Sequence, residues 1–211
     1  MIKIRNISKR FKNLEIFENV SLEIPTGKIV GLVGENGSGK SVLMKMLCGY
    51  SKPTSGSIDV YGETLGVNRD FPRSVGVLIN DSHFIKNYTG MENLDYLINI
   101  RKQTDKTFLN ELIQIFDMER NIHKRYKAYS LGMKQKLRII QAFMEQPNLV
   151  LLDEPFNALD KKSTMVLVDL IKRYINEERI IIFTSHEYQH IEHLADTVLT
   201  IQDKKIMVDC A

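Results

Sequence analysis

The most constraining feature of the sequence is a glycine-rich stretch at residues 34–41, which reads Gly-Glu-Asn-Gly-Ser-Gly-Lys-Ser. It matches G-x-x-x-x-G-K-[ST], a pattern in which glycines let the backbone curl so that successive N–H groups face phosphate oxygens. Residues 28–33 before it have the composition of a strand, and residues 41–48 carry apolar side chains at helical intervals. A strand, a phosphate loop and a helix in this order predict an α/β fold built around a nucleotide site.

The same stretch predicts which residues touch the nucleotide. Lys40 is expected to reach the β and γ phosphates, and the hydroxyl of Ser41 to bind Mg²⁺, which takes most of its ligands from phosphates and water. The other residues expected in the nucleotide-binding set are Gly34, Glu35, Asn36, Gly37, Ser38, Gly39 and Val42.

A second motif supplies the acidic groups that such a site requires. Residues 148–155 read Asn-Leu-Val-Leu-Leu-Asp-Glu-Pro, an apolar run typical of a buried strand that ends on two carboxylates. Ligands of open α/β sheets bind at the carboxyl ends of the strands. Asp153 is therefore predicted to hold the metal, directly or through water, and Glu154 to accept a proton from the attacking water.

The remaining pattern predicts a single domain over residues 1–211. Short β-rich runs at 2–5 and 20–24 predict an N-terminal antiparallel part, and helical spacing from about residue 91 to 143 predicts an inserted helical subdomain. Strands and helices alternate again after residue 148 and end in a C-terminal hairpin. The predicted fold class is thus an α/β phosphate-loop nucleotide-hydrolase core with a mixed sheet.

Composition argues against several other classes of protein. The chain is 43% hydrophobic and 26% charged, as in ordinary globular proteins. Its formal net charge of +3 is spread among acidic residues without a dense basic cluster, so no nucleic-acid partner is expected. The two cysteines lack metal-ligand spacing, which fits a reduced cytoplasmic protein. The longest apolar runs are far shorter than the roughly 20 residues of a membrane helix.

One pattern competes with the nucleotide interpretation. Residues 186–190 read His-Glu-Tyr-Gln-His, which is the H-E-x-x-H pattern of zinc proteases. That chemistry needs both histidines in one helix, whereas the β-rich run up to Ser185 places His186 at a strand end, and no His or Glu follows His193 as a distant ligand. His190 and His193 are accordingly predicted to lie on a helix surface.

The sequence resembles the ATP-binding cassette (ABC) ATPases over nearly its whole length. Residues 129–136 read Tyr-Ser-Leu-Gly-Met-Lys-Gln-Lys, which is similar to the family signature L-S-G-G-Q, with Leu131 in place of the first glycine and Met133 in place of the glutamine. The resemblance implies that Ser130 and the amide of Gly132 contact the γ-phosphate bound by a second copy of the chain.

The resemblance implies roles for four more residues. Asp160, which ends Asn-Ala-Leu-Asp, matches a loop that couples the two active sites of a dimer, and His186 matches a histidine that contacts the γ-phosphate and orders the attacking water. Phe11 stands where an aromatic ring stacks on adenine. The family normally has glutamine after the strand at residues 75–79, where this chain has Asn80. Asparagine keeps the amide but is one methylene shorter, so its contact with Mg²⁺ is expected to run through water.

By this resemblance the chain is the ATPase subunit of an ABC transporter, with Glu154, His186 and Lys40 as its catalytic residues. It implies ATP and Mg²⁺ as ligands, a second copy as a head-to-tail partner, and a separate membrane permease that holds the subunit on the cytoplasmic face of the membrane. The signature variant and Asn80 are most similar to bacterial antibiotic- or peptide-resistance exporters.

Two other interpretations use the same phosphate loop. A GTPase is disfavoured because Asn-Ala-Leu-Asp at residues 157–160 lacks the lysine of the guanine-reading N-K-x-D motif. A soluble ABC ATPase that acts on DNA or ribosomes stays as the alternative, although such relatives usually carry two cassettes or a long coiled-coil insertion.

Overall fold

The computed structural model of the chain describes residues 1–79, 84–101 and 104–210. The strands in these ranges are β1 (Ile2–Phe11), β2 (Leu14–Ile24), β3 (Lys28–Gly34), β4 (Ser55–Val60), β5 (Glu63–Thr64), β6 (Val75–Leu78), β7 (Leu149–Leu152), β8 (Ile180–Thr184), β9 (Thr197–Gln202) and β10 (Lys205–Cys210). The helices are α1 (Lys40–Leu47), α2 (Gly90–Arg101), α3 (Lys106–Ile115), α4 (Leu131–Phe143), α5 (Lys161–Tyr174) and α6 (Tyr188–Leu194), with a 3₁₀ turn at Tyr126–Ala128.

The strands form two sheets. A four-stranded antiparallel sheet has the order β2-β1-β4-β5, and a six-stranded sheet has the order β10-β9-β3-β8-β7-β6. The strands from β9 to β6 pair in parallel, and β10 pairs antiparallel at the edge. These sheets confirm the predicted mixed sheet, the antiparallel N-terminal part and the C-terminal hairpin.

The central parallel strands bring the two sequence motifs to one edge of the sheet. Every residue of β7 and β8 is buried, because helices or the second sheet cover both faces, and this explains their continuous apolar sequences. In the parallel register Leu152 pairs with Phe183, and Leu32 pairs with Thr184. The residues that follow β3, β7 and β8 therefore leave the sheet side by side.

The N-terminal strands are longer than the sequence pattern predicts. Runs at 2–5 and 20–24 are extended into a hairpin of β1 and β2 that reaches Phe11 and Leu14. The register shifts at several points along this pair, and Asn6 and Asn19 adopt φ of 48° and 46°. Such irregularities break the alternation of apolar and polar residues, so the outer half of the hairpin carries no clear strand pattern.

The described part of the segment between β6 and β7 contains α2, α3, the 3₁₀ turn and α4 in sequence, joined by turns. Helix α4 packs closely on β6, since a Cβ atom added to Gly76 would collide with the carbonyl oxygen of Ala142. The boundaries of a separate subdomain at 91–143 stay a prediction. No helix in the described ranges has the length and apolarity needed to cross a bilayer.

Candidate functional site

A cleft of about 250 Å³ opens where the carboxyl ends of β3, β7 and β8 meet. Three sequence motifs that lie far apart along the chain, the phosphate loop, the acidic strand end and His186, contribute to its walls. Its lining residues are Asn36, Gly37, Gly39, Lys40, Ser41, Val42, Asp153, Glu154 and His186. The phosphate-loop, acidic and His186 parts of the site predicted from sequence are therefore brought together at one edge of the sheet.

The phosphate loop turns sharply into α1 on backbone angles that favour glycine. Gly39 caps the helix with φ of 112°, and a Cβ atom there would lie 2.7 Å from a side-chain carbon of Ile16. Nζ of Lys40 donates to the carbonyl oxygens of Gly34 at 2.7 Å and Glu35 at 3.0 Å. The lysine thus spans the loop, and its ammonium group is held by two backbone carbonyl oxygens.

Ser38 adds an unpaired polar atom to this loop. Its Oγ is buried and has no hydrogen-bond partner among the described residues, while its backbone N–H donates to the carbonyl oxygen of Glu35 at 3.1 Å. A buried hydroxyl without a partner is uncommon in native proteins, and it fits a loop that takes part of its hydrogen bonding from a ligand or water.

Asp153 is fixed by two hydroxyl groups. Oγ of Ser41 donates to its Oδ2 at 2.7 Å, and Oγ1 of Thr184 donates to its Oδ1 at 3.0 Å. The carboxylate is only 2% exposed, so these hydrogen bonds compensate for the loss of water. The side-chain oxygens of Ser41 and Asp153 lie close enough to bind one hard cation. Mg²⁺ that is bound to phosphates typically takes only one or two ligands from the protein, and these two oxygens could supply them.

Glu154 and His186 form the other wall of the cleft. Glu154 adopts a left-handed backbone conformation with φ of 51°, which costs about 1–2 kcal/mol for a residue with a side chain. The N–H of His186 donates to Oε2 of Glu154 at 3.1 Å, and Nε2 of His186 lies 3.4 Å from Oε1. The carboxylate is 7% exposed, whereas the imidazole is 58% exposed. A buried acceptor therefore lies beside an accessible imidazole.

Two residues that support this site were missed by sequence reasoning. Oγ1 of Thr184 also accepts the N–H of Glu154 at 2.8 Å, so it binds both acidic residues. The amide Nε2 of Gln135 donates to the carbonyl oxygens of Glu154 at 3.2 Å and Pro155 at 2.9 Å. Two features of the sequence could have pointed to them. Thr184 is the polar residue that ends the apolar strand β8, and Gln135 is a polar residue on the buried face of α4.

Several of the predicted contact residues within the described ranges lie outside the cleft lining. Ser130 caps α4, where its Oγ accepts the N–H of Met133 at 3.2 Å. Gly132 follows on the same helix, and a Cβ atom there would lie 2.9 Å from the carbonyl oxygen of Ala158. The signature segment thus touches the loop that leads to Asp160, and Ser130 is exposed.

Asp160 and Phe11 also lie away from the cleft lining. Asp160 caps α5 by accepting the N–H of Ser163 at 2.7 Å, and this hydrogen bond lowers the pKa of its carboxyl group. Phe11 ends β1 with 47% of its surface exposed, and Nζ of Lys9 lies 4.6 Å from the centre of its ring. One face of the ring therefore interacts with a cation. Asn80 lies outside the described residues.

The zinc-protease pattern is split between two elements. His186 precedes α6, while His190 lies within it, and no group of three or more His, Cys, Asp or Glu side chains that could hold a metal occurs in the described part of the chain. His193 is exposed, as predicted. His190 lies on α6 as predicted, but its side chain is only 17% exposed because its ring stacks on Phe156 with 4.0 Å between centroids.

A larger and more open cleft of about 670 Å³ lies before β6. It is lined by Arg69, Asp70, Phe71, Pro72, Arg73, Ser74 and Glu145. Both arginines already bind the carboxylate of Glu63, at 3.0 and 2.7 Å, and Asp70 pairs with Lys52 at 3.2 Å. Because protein carboxylates neutralise these cations, the smaller cleft at the phosphate loop is the better candidate.

The parallel sheet, the phosphate loop at its edge and the two acidic residues opposite define a phosphate-loop nucleotide hydrolase. The sequence profile of the family described as ABC transporter matches residues 17–157. The chain therefore belongs to the ABC transporter family and is one of its ATP-binding, ATP-hydrolysing subunits. This confirms the family and the activity predicted from sequence.

Curated relatives agree with this assignment. The chain is 35% identical to the uncharacterized ABC transporter ATP-binding protein YybJ of Bacillus subtilis (strain 168), and the match covers 98% of this chain and 94% of that relative. It is 36% identical to the lantibiotic transport ATP-binding protein SrtF of Streptococcus pyogenes, over 99% and 90% of the two chains. It is 33% identical to the bacitracin transport ATP-binding protein BcrA of Enterococcus faecalis, over 94% of this chain and 65% of that protein.

Solved structures support the fold. A structure described as the ATP-binding subunit of an ABC transporter matches with a TM-score of 0.92 at 23% identity, covering 100% of this chain and 90% of that one. The ATP-binding cassette MJ0796, solved as a dimer in a post-hydrolysis state with ADP and Pi, matches with a TM-score of 0.87 at 20% identity, covering 100% and 98%.

Proposed function

We propose that two copies of this chain enclose two ATP molecules at a shared interface and power the export of an antimicrobial compound or peptide through a separate membrane permease. The observation that carries the proposal is the division of the predicted site. The residues that would bind the phosphates and the metal line one cleft, while Ser130 and Gly132 lie outside it at the start of α4. A head-to-tail arrangement would bring the α4 start of one copy to the cleft of the other.

The size of the cleft supports a shared site. At about 250 Å³ it is smaller than the roughly 300–1,000 Å³ typical of small-molecule sites, so one copy alone would leave much of a nucleoside triphosphate exposed. The first N–H groups of α4 have no partners within the helix, and anions bind well at such helix starts. The α4 start of a second copy would thus supply donors to the γ-phosphate.

In this proposal the phosphate loop binds and orients the nucleotide. Backbone N–H groups of residues 34–41 and Nζ of Lys40 would contact the β and γ phosphates. Ser41 and Asp153 would hold Mg²⁺, and their mutual hydrogen bond of 2.7 Å places both oxygens on one side of the cleft. Bound Mg²⁺ neutralises the charge that develops on the phosphate oxygens. Phe11 would stack on the adenine ring.

Glu154 and His186 would act on the attacking water. The carboxylate of Glu154 accepts the proton of the water as it attacks the γ-phosphate, a contribution of about 10²–10⁴ in rate for a positioned base. His186 would contact the γ-phosphate through its exposed imidazole and hold the water in line. Asp160, at the start of α5, would relay the state of one site to the other.

The permease and its cargo are inferred from two observations. The relatives named above include subunits that transport bacitracin and a lantibiotic. In addition, Ile85 and Tyr88 before α2, and Tyr96 and Ile100 one turn apart on α2, are 42–69% exposed. Exposed apolar side chains concentrated in one segment are typical of a protein interface. We place the subunit on the cytoplasmic face of the membrane, with this segment against the permease.

The shared site can be tested by trapping the dimer. Glu154→Gln should retain ATP and make the dimer long-lived enough to detect by size-exclusion chromatography. Adding Ser130→Arg should abolish the ATP-dependent dimer but leave ATP binding to the single copy intact. Ser55→Arg, on the exposed antiparallel sheet, is the matched control and should still dimerise. A dimer that survives Ser130→Arg would contradict the proposal.

The transport function can be tested with the membrane protein that co-purifies with this chain from its native cells. Co-expression should yield a membrane complex whose inverted vesicles take up a labelled peptide antibiotic only with ATP. Replacement of the subunit by its Glu154→Gln variant should remove this uptake. Recovery of the chain in a cytosolic complex with DNA or ribosomes, and not with membranes, would favour the alternative function.

A further inference from the structure

The structure assigns to His190 the role of a positioning residue: its side chain joins the loop that carries His186 to the turn that carries Glu154 and so sets the distance between the two. This inference rests on the proposed roles of Glu154 and His186. It concerns a histidine of α6 that takes no part in the cleft lining.

The first contact of His190 is with the loop before α6. Nδ1 of His190 lies 3.0 Å from Oγ of Ser185, and the same Oγ accepts the N–H of Glu187 at 3.1 Å. Ser185 directly precedes His186 and Glu187 directly follows it. A hydroxyl that accepts the N–H two residues on defines a tight turn. His190 therefore holds the hydroxyl that shapes the backbone of His186.

His190 can make this hydrogen bond in either of its neutral tautomers. If Nδ1 is unprotonated, it accepts the Ser185 hydroxyl, and the Nε2–H group then faces Oε2 of Glu187, which lies 3.8 Å away. If Nδ1 carries the proton, it donates to Oγ. The hydrogen bond to Ser185 is made in both cases, so the link does not depend on which ring nitrogen carries the proton.

The second contact of His190 is with the turn after β7. The imidazole stacks on the ring of Phe156 with 4.0 Å between centroids and 23° between planes. Phe156 stands two residues after Glu154, is 8% exposed, and packs edge-on against Phe183 of β8 at 6.1 Å. Its ring is therefore fixed from both sides, and the stacked histidine is fixed with it.

These two contacts place one side chain between the two residues that would act on the attacking water. His190 contacts both Ser185 and Phe156, and it thereby links the loop of His186 to the turn of Glu154. Small displacements of catalytic groups are costly, since an error of about 1 Å in position can reduce a rate a hundredfold. We therefore expect that loss of the His190 contacts lowers the rate of ATP hydrolysis because it displaces His186.

The decisive variant is His190→Phe, which keeps an aromatic ring for stacking on Phe156 and removes the hydrogen bond to Ser185. We expect kcat for ATP hydrolysis to fall about fivefold, the rate equivalent of one hydrogen bond, with KM for ATP unchanged. If His190→Phe does not fold, Ser185→Ala takes its place. It removes the same hydrogen bond from the other side, and we expect a similar loss of kcat. His193→Phe, at an exposed position of the same helix, is the matched control and should leave kcat unchanged.

Two further readouts separate positioning from general support of the fold. In a His186→Ala background, His190→Phe should cause no further loss of rate, because it acts through the missing imidazole. In the otherwise unchanged chain, the imidazole resonance of His186 should move in His190→Phe and stay in place in His193→Phe. Equal losses in both backgrounds, or wild-type kcat together with an unmoved resonance, would overturn the inference.

Failure of the proposed function would look different. If His186→Ala hydrolyses ATP at the wild-type rate, the proposed catalytic role of His186 is wrong. The resonance of His186 would still report whether His190 positions it, because that measurement needs no hydrolysis. If His186→Ala is slow and His190→Phe behaves as the wild type by both readouts, the inference about His190 alone is wrong.

Discussion

His186 meets Glu154 twice: its backbone N–H donates to Oε2 at 3.1 Å, and its imidazole Nε2 lies 3.4 Å from Oε1. Both carboxylate oxygens therefore face the same residue. The backbone contact fixes the direction of the carboxylate, and Oε1 is a buried oxygen that lies beside the imidazole without a hydrogen-bond partner among the described residues. A carboxylate held in this way needs little reorganisation before it accepts a proton.

Glu154→Gln tests the role of this carboxylate. We expect ATP hydrolysis to slow by at least about a hundredfold, since a positioned general base is lost, while the side-chain amide oxygen can still accept the N–H of His186. ATP binding, measured with a fluorescent analogue, should be unchanged. Glu192→Gln, an exposed change on α6, is the control. Full hydrolytic activity of Glu154→Gln would show that another group accepts the proton.

Ser41→Ala tests the metal site. Removal of the hydroxyl takes away one predicted Mg²⁺ ligand, and we expect the Mg²⁺ concentration for half-maximal hydrolysis to rise about tenfold or more. Chelation of Mg²⁺ should stop hydrolysis in the unchanged chain. Ser55→Ala, an exposed serine of β4, should titrate with Mg²⁺ as the wild type does. An unshifted titration of Ser41→Ala would remove Ser41 from the set of ligands.

Thr184→Val tests the hydrogen bonds that hold Asp153 and Glu154 in place. The valine fits a buried strand, but Oδ1 of Asp153 and the N–H of Glu154 both lose their partner, and a buried group without its partner costs about 1–3 kcal/mol. The free energy of unfolding, measured with urea, should fall by that amount or more, and hydrolysis should slow. Thr200→Val, whose hydroxyl binds the exposed Asp209, should cost much less. Equal costs would mean that Thr184 has no special part in holding the acidic residues.

Asn80→Gln tests the departure from the family pattern. The family resemblance implies that position 80 faces Mg²⁺. Since the longer side chain would then make a direct amide contact, we expect a higher basal ATPase rate or a stronger dependence on the permease. The rates should be compared with and without the permease in the same vesicles. Rates that match the wild type in both conditions would contradict a role for position 80 in this coupling.

The sequence predicted which residues cluster at the carboxyl ends of the strands because the motifs there are local. The glycines at 34–41 predict the backbone conformation of the loop, and the apolar run Leu149–Leu152 predicts a buried strand that is followed by a carboxylate. Parallel strands expose their carboxyl ends together, so Asp153 could be placed near the loop before the strand pairing was known, whereas His186 was assigned from the family resemblance.

The remaining parts depend on tertiary contacts that no local pattern records. Thr184 and Gln135 lie 31 and 19 residues from the acidic residues with which they bond. The helical position of His190 was predicted, but its ring is covered by Phe156, which comes from another loop. The outer half of the β1–β2 hairpin was missed because bulges interrupt its alternation.

Gln135 connects the start of α4 directly to the backbone of the turn that carries Glu154. Its amide lies on the second turn of the helix that Ser130 begins, and it donates to two backbone carbonyls of the turn that holds Glu154. A displacement of α4 must either leave a buried amide unpaired or carry that turn along. We therefore expect a protein that displaces α4 to change the rate of hydrolysis. Conversely, we expect a movement of the turn at Glu154 to displace α4 and any protein bound to it.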